Sequence, residues 1–240
     1  MAISRRQAIS ISGTTLAGLS IGALTSGGLH AQTPQPQAPW PVQLVERPLR
    51  ECFPALLPLN ADGSAPEHAA SEAGPITDPL MWRTPNRLAP EIEYDYQKMA
   101  IKVDTRGLAK LTGTLRFSDL ERLPPVTHTF LMQCGAANPR GVVKWTGVRF
   151  RDFADMLGLV VGAHYCRFVA SDKMYIDEAI ATLRHPQVML AWLMNDQPIA
   201  PQHGAPLRLI VPFRYGNRSI KAITEMAFAT PGLAMPPLPT

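Results

Sequence analysis

Polar and apolar residues alternate from Lys98 to Val103, which predicts a strand with one buried face. A second apolar run, Thr127 to Met132, predicts a strand that delivers Cys134 at its end. Phe150, Phe153, Ala154 and Leu157 recur at helical spacing, and Gly158 supplies a C-terminal stop. Ser118-Asp119-Leu120-Glu121 has the capping-box pattern, so a short helix is expected there, ended by Pro124. Farther on, the pattern predicts a strand over Tyr165 to Ala170 and a helix over Ile176 to Leu183. A buried strand follows over Val188 to Met194, turned back at Asn195-Asp196. Another runs over Leu207 to Val211, closed by Pro212, and a final one over Ile220 to Phe228. Short strands mixed with short helices, without a βαβ rhythm, predict an α+β domain.

Upstream of Lys98 the pattern weakens. The chain of 240 residues holds 24 prolines, about twice the usual share. Many fall before Pro90, so residues 32–77 read as an extended Pro-rich arm over the surface. Order is expected near Asp78-Pro79-Leu80-Met81-Trp82-Arg83, giving a domain over 78–230 and a tail over 231–240. Residues 1–31 read as an export signal instead of fold. Ser4-Arg5-Arg6-Gln7 precedes an uncharged run, Ala8 to Leu29, and then a small-residue cleavage point at His30-Ala31-Gln32. The paired arginines predict the twin-arginine type, with passage through that export machinery to the periplasm. A Sec signal or a membrane anchor is the alternative, although the run is only mildly apolar for a permanent span. The twin-arginine route carries folded proteins, often with a cofactor inserted.

Charge removes one class of partner. The formal net charge is +4 and the basic residues are scattered, so no nucleic-acid stripe is present. Cysteine opens another question. The three cysteines, Cys52, Cys134 and Cys166, form no CxxC pair, and an odd number in an exported chain leaves one thiol free. A single cysteine is most often a small buried hydrophobe. Cys134 at the end of a strand, with Asn138 and Arg140 in the loop behind it, is also placed to be a nucleophile or a soft metal ligand.

A second cluster lies in residues 202–221, QHGAPLRLIVPFRYGNRSIK. It gathers His203, Arg208, Arg214, Arg218 and Lys221 around Gly204 and Gly216. Glycines let backbone approach a ligand, and Ser219 with neighbouring N–H groups can take phosphate oxygens. A solvated basic loop is the plainer reading. Cations placed regularly between apolar strands favour a phosphate-bearing cofactor. The chain has no GxSxG, HExxH, GxxxxGK[ST] or GxGxxG motif, so a hydrolase reading rests on Cys134 alone.

In combination these segments resemble the molybdopterin-binding domain of the sulfite oxidase family, from about Asp78 to Phe228. The resemblance is carried by LMWR, by QC ending a strand, by KWTGVRFRDF, by VMLAWLMNDQPIAPQHGAPLRLIVP and by YGNRSIK. It implies a sulfite oxidase-type fold of mixed short strands and helices holding molybdenum on molybdopterin. It implies Cys134 as the thiolate ligand to the metal. It implies cofactor contacts from Met81, Trp82, Arg83, Asp172, His203, Arg208, Ser219, Ile220 and Lys221, with Arg140 and Arg218 meeting a substrate oxyanion. The expected reaction is two-electron oxygen-atom transfer on a small sulfur oxo compound, sulfite-like or sulfoxide. The loop Cys-Gly-Ala-Ala-Asn-Pro-Arg departs from the usual Cys-x-Gly-Asn-Arg and is short, which weakens the sulfite reading and leaves a metal-free binding module as the alternative. Similarity extends to the periplasmic methionine-sulfoxide-reductase branch. With no CxxCH haem site and no second domain, a stand-alone catalytic subunit is expected, exchanging electrons with a separate partner such as a cytochrome.

Overall fold

The computed structural model describes residues 56–75, 82–135 and 140–230. The export signal, much of the Pro-rich arm, Cys52, Met81, Asn138 and the tail lie outside the described residues. In chain order the elements are β1 (Ile101–Asp104), β2 (Gly113–Leu115), α1 (Phe117–Leu120), β3 (Pro125–Gln133), β4 (Arg140–Arg149), α2 (Phe150–Leu157) and β5 (Tyr165–Ala170). They continue with β6 (Tyr175–Ala179), α3 (Ile180–Leu183), β7 (Met189–Met194), β8 (Gln197–Pro198), β9 (Arg208–Ile210) and β10 (Ile223–Ala229). The α+β class is as expected.

Two sheets organise these elements. One runs β2-β1-β10-β5-β6, with β1 and β10 parallel and the other neighbours antiparallel. The other runs β3-β4-β7-β8, with β9 also paired to β7. Between them lies a continuous apolar core into which α2 inserts Phe150, Phe153, Ala154 and Leu157, all buried. The helix stops at Gly158, whose φ of +67° is the left-handed conformation glycine adopts without strain. A smaller cluster of Met132, Val143, Trp145, Met189 and Ile210 fills the other face of the second sheet.

Three features differ from the expected pattern, each for a physical reason. The segment expected as one helix from Ile176 to Leu183 is split into β6 and α3. Its apolar spacing suits a helix, but β6 gains a five-residue ladder on β5 and then alternates burial, with Ile176 and Glu178 inward. The first helix begins two residues earlier than the capping pattern implied. Its N-cap is Arg116, whose N–H donates to the Asp119 carboxylate at 2.9 Å. Strand β4 had no clear signature of its own. It forms because nine residues of β3 need a partner, and it holds Gly147 against β7, where a Cβ would come within 2.0 Å of the Leu190 carbonyl oxygen.

The described part of the arm, 56–75, carries a turn at 61–63 and a 3₁₀ turn at Ala70–Glu72. Ala65 exchanges two hydrogen bonds with the Gln187 amide, at 2.9 and 2.7 Å, and His68 N–H donates to Thr129 O at 2.9 Å. Glu67 bridges to Phe130, so the arm covers the free edge of β3. Among the described residues, no helix is long and apolar enough to cross a membrane.

Candidate functional site: a cationic cavity between two sheets

Strand β3 ends by placing Cys134, half-buried, at the mouth of a cavity of about 260 Å³. Antiparallel register pairs Gln133 with Arg140, so the loop begun by Cys134 closes with Arg140 beside its base. This accounts for the cation that follows the thiol in sequence. Arg140 is exposed and does not line the cavity. Met132 does, two residues before Cys134 and on the same face of the strand.

The opposite wall comes from the basic segment. Its framework is a 3₁₀ turn, Pro201–His203, then β9, then a second 3₁₀ turn, Gly216–Arg218. The returning stretch 219–223 is tied along β9 by Leu209 N–H to Ile220 O at 3.1 Å and Ile223 N–H to Leu207 O at 3.0 Å. That tie brings His203, Arg208, Ser219, Ile220 and Lys221 to one surface of the cavity. Gly204, at φ +107°, makes the closest approach, since a Cβ there would lie 2.7 Å from Lys221 Cβ.

Arg208 is buried and held on three sides. Its Nε donates to Ser219 O at 3.3 Å, its Nη1 donates to His203 O at 2.8 Å, and its guanidinium lies 5.2 Å from the Trp145 ring centroid. Trp145 has no local sequence signal for this role, because β4 and β9 meet only through β7. Ser219 Oγ accepts from Val211 N–H at 2.9 Å, which leaves its own proton available to a ligand. Lys221 Nζ lies 4.0 Å from the centroid of Trp82 and donates to Gln202 O at 3.3 Å.

The remaining wall belongs to the first sheet and the segment before it. Trp82, Arg83, Ala170, Asp172 and Met174 line the cavity. Asp172 accepts from Arg83 N–H and from Met174 N–H, both at 3.1 Å, and so fastens the leading segment to the turn between β5 and β6.

The electrostatics favour an anion. Burial lowers Arg208 to about 10. Burial, then the charge of Arg208, lowers Lys221 to about 8 against a small opposing pull from Asp172. Burial with the charges of Arg208 and Lys221 also depresses His203. Two polar atoms beside the cavity, Trp82 Nε1 and Ser171 Oγ, are buried without a protein partner. Crowded, desolvated cations and unpaired polar groups fit a ligand that carries phosphate and polar ring atoms.

Nine of the sequence-derived residues thus surround one cavity: Trp82, Arg83, Cys134, Asp172, His203, Arg208, Ser219, Ile220 and Lys221. Arg140 and two others do not line it. Arg218 is turned away to Glu178 Oε1 at 2.5 Å and to Asp177 O at 2.5 Å. Arg214 lies over the Phe213 ring at 5.9 Å. Gln133, Asn217 and Gln202 line it without having been singled out, each next to a residue that was.

Comparison with known proteins agrees with this geometry. The sequence matches the oxidoreductase molybdopterin binding domain over residues 89–231. The protein-methionine-sulfoxide reductase catalytic subunit of Campylobacter jejuni is 26% identical over 166 residues, covering 60% of this chain and 54% of that protein. Sulfite oxidase of Arabidopsis thaliana is 28% identical over 154 residues, covering 50% of this chain and 39% of that protein. The chain therefore spans about half the length, or less, of these curated relatives. Among solved structures, the sulfane dehydrogenase SoxCD from Paracoccus pantotrophus superimposes with a TM-score of 0.52 at 19% identity, over 58% of this chain and 40% of that one. Matched over more than half its length, with the cavity walls inside the matched span from Cys134 onward, the chain belongs to the oxidoreductase molybdopterin-binding domain family.

Proposed function

We propose that the chain is the catalytic subunit of an exported molybdenum enzyme that transfers an oxygen atom to or from a small sulfur compound. The observation that carries this reading is the joining of Cys134 to a cluster of desolvated cations across one cavity. When bound, molybdenum on its pterin dithiolene supplies two-electron oxygen-atom chemistry. Cys134 gives the metal one thiolate. Among the described residues, no group of three or more His, Cys, Asp or Glu side chains is arranged to hold a metal. Arg208, Lys221 and Ser219 would hold the phosphate end, and His203, Trp82 and Ile220 would line the rest of the cofactor's cavity. Asp172 keeps Arg83 and the turn before Met174 in place.

The substrate reaches the thiolate end. A neutral sulfoxide is the reading the geometry favours, because Arg214 and Arg218 are engaged elsewhere and Met132 and Met174 make the cavity apolar near Cys134. A sulfite-like anion is the second reading, supported by Arg140 beside the Cys134 loop. Relatives of both kinds are similar to this chain, a methionine-sulfoxide reductase and a sulfite oxidase. Export through the twin-arginine route to the periplasm and electron exchange with a separate cytochrome complete the proposal.

The test is metal content by mass spectrometry on protein from a molybdenum-replete periplasm, followed by turnover with sulfoxide and with sulfite. About one molybdenum per chain and sulfoxide turnover are expected. Protein without molybdenum would favour a binding module that has lost the metal.

A further inference from the structure

Glu178 is the only carboxylate among the buried residues described, at 8% exposure, and it lies outside the cavity. It occupies an inward position of β6, where an apolar side chain is expected from the alternation. A buried carboxylate is costly unless it is paired and hydrogen-bonded. Its partner is Arg218, whose Nε reaches Glu178 Oε1 at 2.5 Å while its Nη2 donates to Asp177 O at 2.5 Å. The next tier stiffens the same strand: Arg167 forks onto Asp177 at 2.7 and 2.8 Å and lies over Tyr175 at 4.4 Å.

What Arg218 anchors is the 3₁₀ turn Gly216–Arg218. The turn is closed by Arg218 N–H to Tyr215 O at 2.8 Å and Ser219 N–H to Gly216 O at 3.1 Å. Its near end packs on the strand that carries the thiol: a Cβ at Gly216 would lie 3.4 Å from Gln133 O and 4.0 Å from Cys134 N. Its far end leads into Ser219 and Lys221 on the cationic wall. The turn is therefore a strap from the second sheet to the first, and the Glu178–Arg218 pair is its fastening on β6.

We infer that Glu178 is a positioning residue: acting through Arg218, it fixes the strap so that Cys134 and the Ser219–Lys221 segment stay at the spacing the cofactor needs. This rests on the cofactor assignment proposed above. It also gives Arg218 a role in holding the site in place of contact with substrate.

The test compares the purified holoprotein with Glu178→Gln, Arg218→Met and the double variant. Release of molybdenum and pterin is followed by metal analysis and pterin fluorescence, and thermal unfolding is followed on cofactor-free protein. Glu178→Gln is expected to release cofactor roughly tenfold faster or more, with an almost unchanged midpoint for the cofactor-free chain. The double variant is expected to release no faster than the worse single one. Release at the wild-type rate would overturn the inference. So would release that follows the loss of the cofactor-free midpoint, since the pair would then be a fold-wide ion pair. Absence of molybdenum from the wild type would instead overturn the cofactor assignment on which the strap depends.

Discussion

Among the described residues, two hollows of similar size have unlike chemistry. One is the cavity of about 260 Å³ between the sheets, ringed by His203, Arg208 and Lys221 and reached by Cys134. The other, about 320 Å³, lies under the edge strand β2, between Leu111, Leu123, Met156 and Leu157, with Asp119 and Arg122 among its lining. Volume would choose the second. Chemistry chooses the first. In the second hollow Asp119 caps α1 and the remaining lining is largely aliphatic. In the first, buried cations repel one another and buried polar atoms lack protein partners, a state that an anionic, hydrogen-bonding ligand would relieve. A binding site is recognised by what the fold leaves unsatisfied there.

The comparison is broken most sharply at Cys134. Cys134→Ser is expected to abolish turnover, well beyond the roughly 10–100-fold typical when only a supporting neighbour of a metal ligand is lost. The fold is expected to persist, as measured by circular dichroism and by the unfolding midpoint. Full activity in the variant would remove the thiolate assignment.

Next in size is Arg208→Ala. It deletes a charged donor to two carbonyls and, on the proposed assignment, to the cofactor, worth about 1.5–3 kcal/mol. That predicts molybdenum and pterin affinity about ten- to a hundredfold weaker, read by metal analysis after dialysis. Unchanged content would move the phosphate end elsewhere.

A pH series sharpens the same contrast. Lys221 in the cofactor-free protein keeps its proton below about 8 and loses it above. An anionic cofactor binds the protonated form better, so affinity is expected to be level below pH 8 and to fall as pH rises beyond it. Around pH 8 Arg208, lowered only to about 10, stays charged, and His203, depressed by burial and its cationic neighbours, is neutral. Stability of the cofactor-free chain runs the other way. Its unfolded state binds the extra proton between about 8 and the ordinary 10.5, so stability rises across that interval. Lys221→Gln is expected to flatten both profiles.

The smallest effect belongs to the second hollow. Leu111→Ser, at a half-exposed position on its rim, is expected to leave molybdenum content unchanged and to shift stability within about 0.5 kcal/mol. Loss of cofactor in that variant would show that this hollow too serves the ligand. Alkylation offers a parallel control on the thiols. Cys166 is buried and its thiol is pushed well up by burial and by Asp177, so it is expected to stay unreacted in folded protein, whereas Cys134 reacts once the cofactor is removed.

Much of this site was legible in the sequence, and the reason differs by residue. Cys134, His203, Arg208, Ser219 and Lys221 belong to short runs in which the functional group and its turn are local, and all five line the cavity. Helix α2 and strand β5 were likewise dictated by nearby residues. The misses required distant partners. Strand β6 read as helix because its ladder comes from β5, and Trp145 gave no local sign of its contact to Arg208 because that contact crosses β7. Arg218 looked free to meet an anion because Glu178 lies forty residues earlier in sequence.

The parallel pairing of β1 with β10 has a consequence for the order of events during synthesis. Strand β1 leaves the ribosome more than a hundred residues before its parallel neighbour β10, the last strand among the described residues. Residues 219–221 come just ahead of that strand. The cationic wall and the closure of the first sheet are therefore completed almost together, once β10 has been made. A nascent chain stopped before Ile223 has its thiol but lacks the sheet that frames the cavity, so cofactor capture is a step taken by a finished domain.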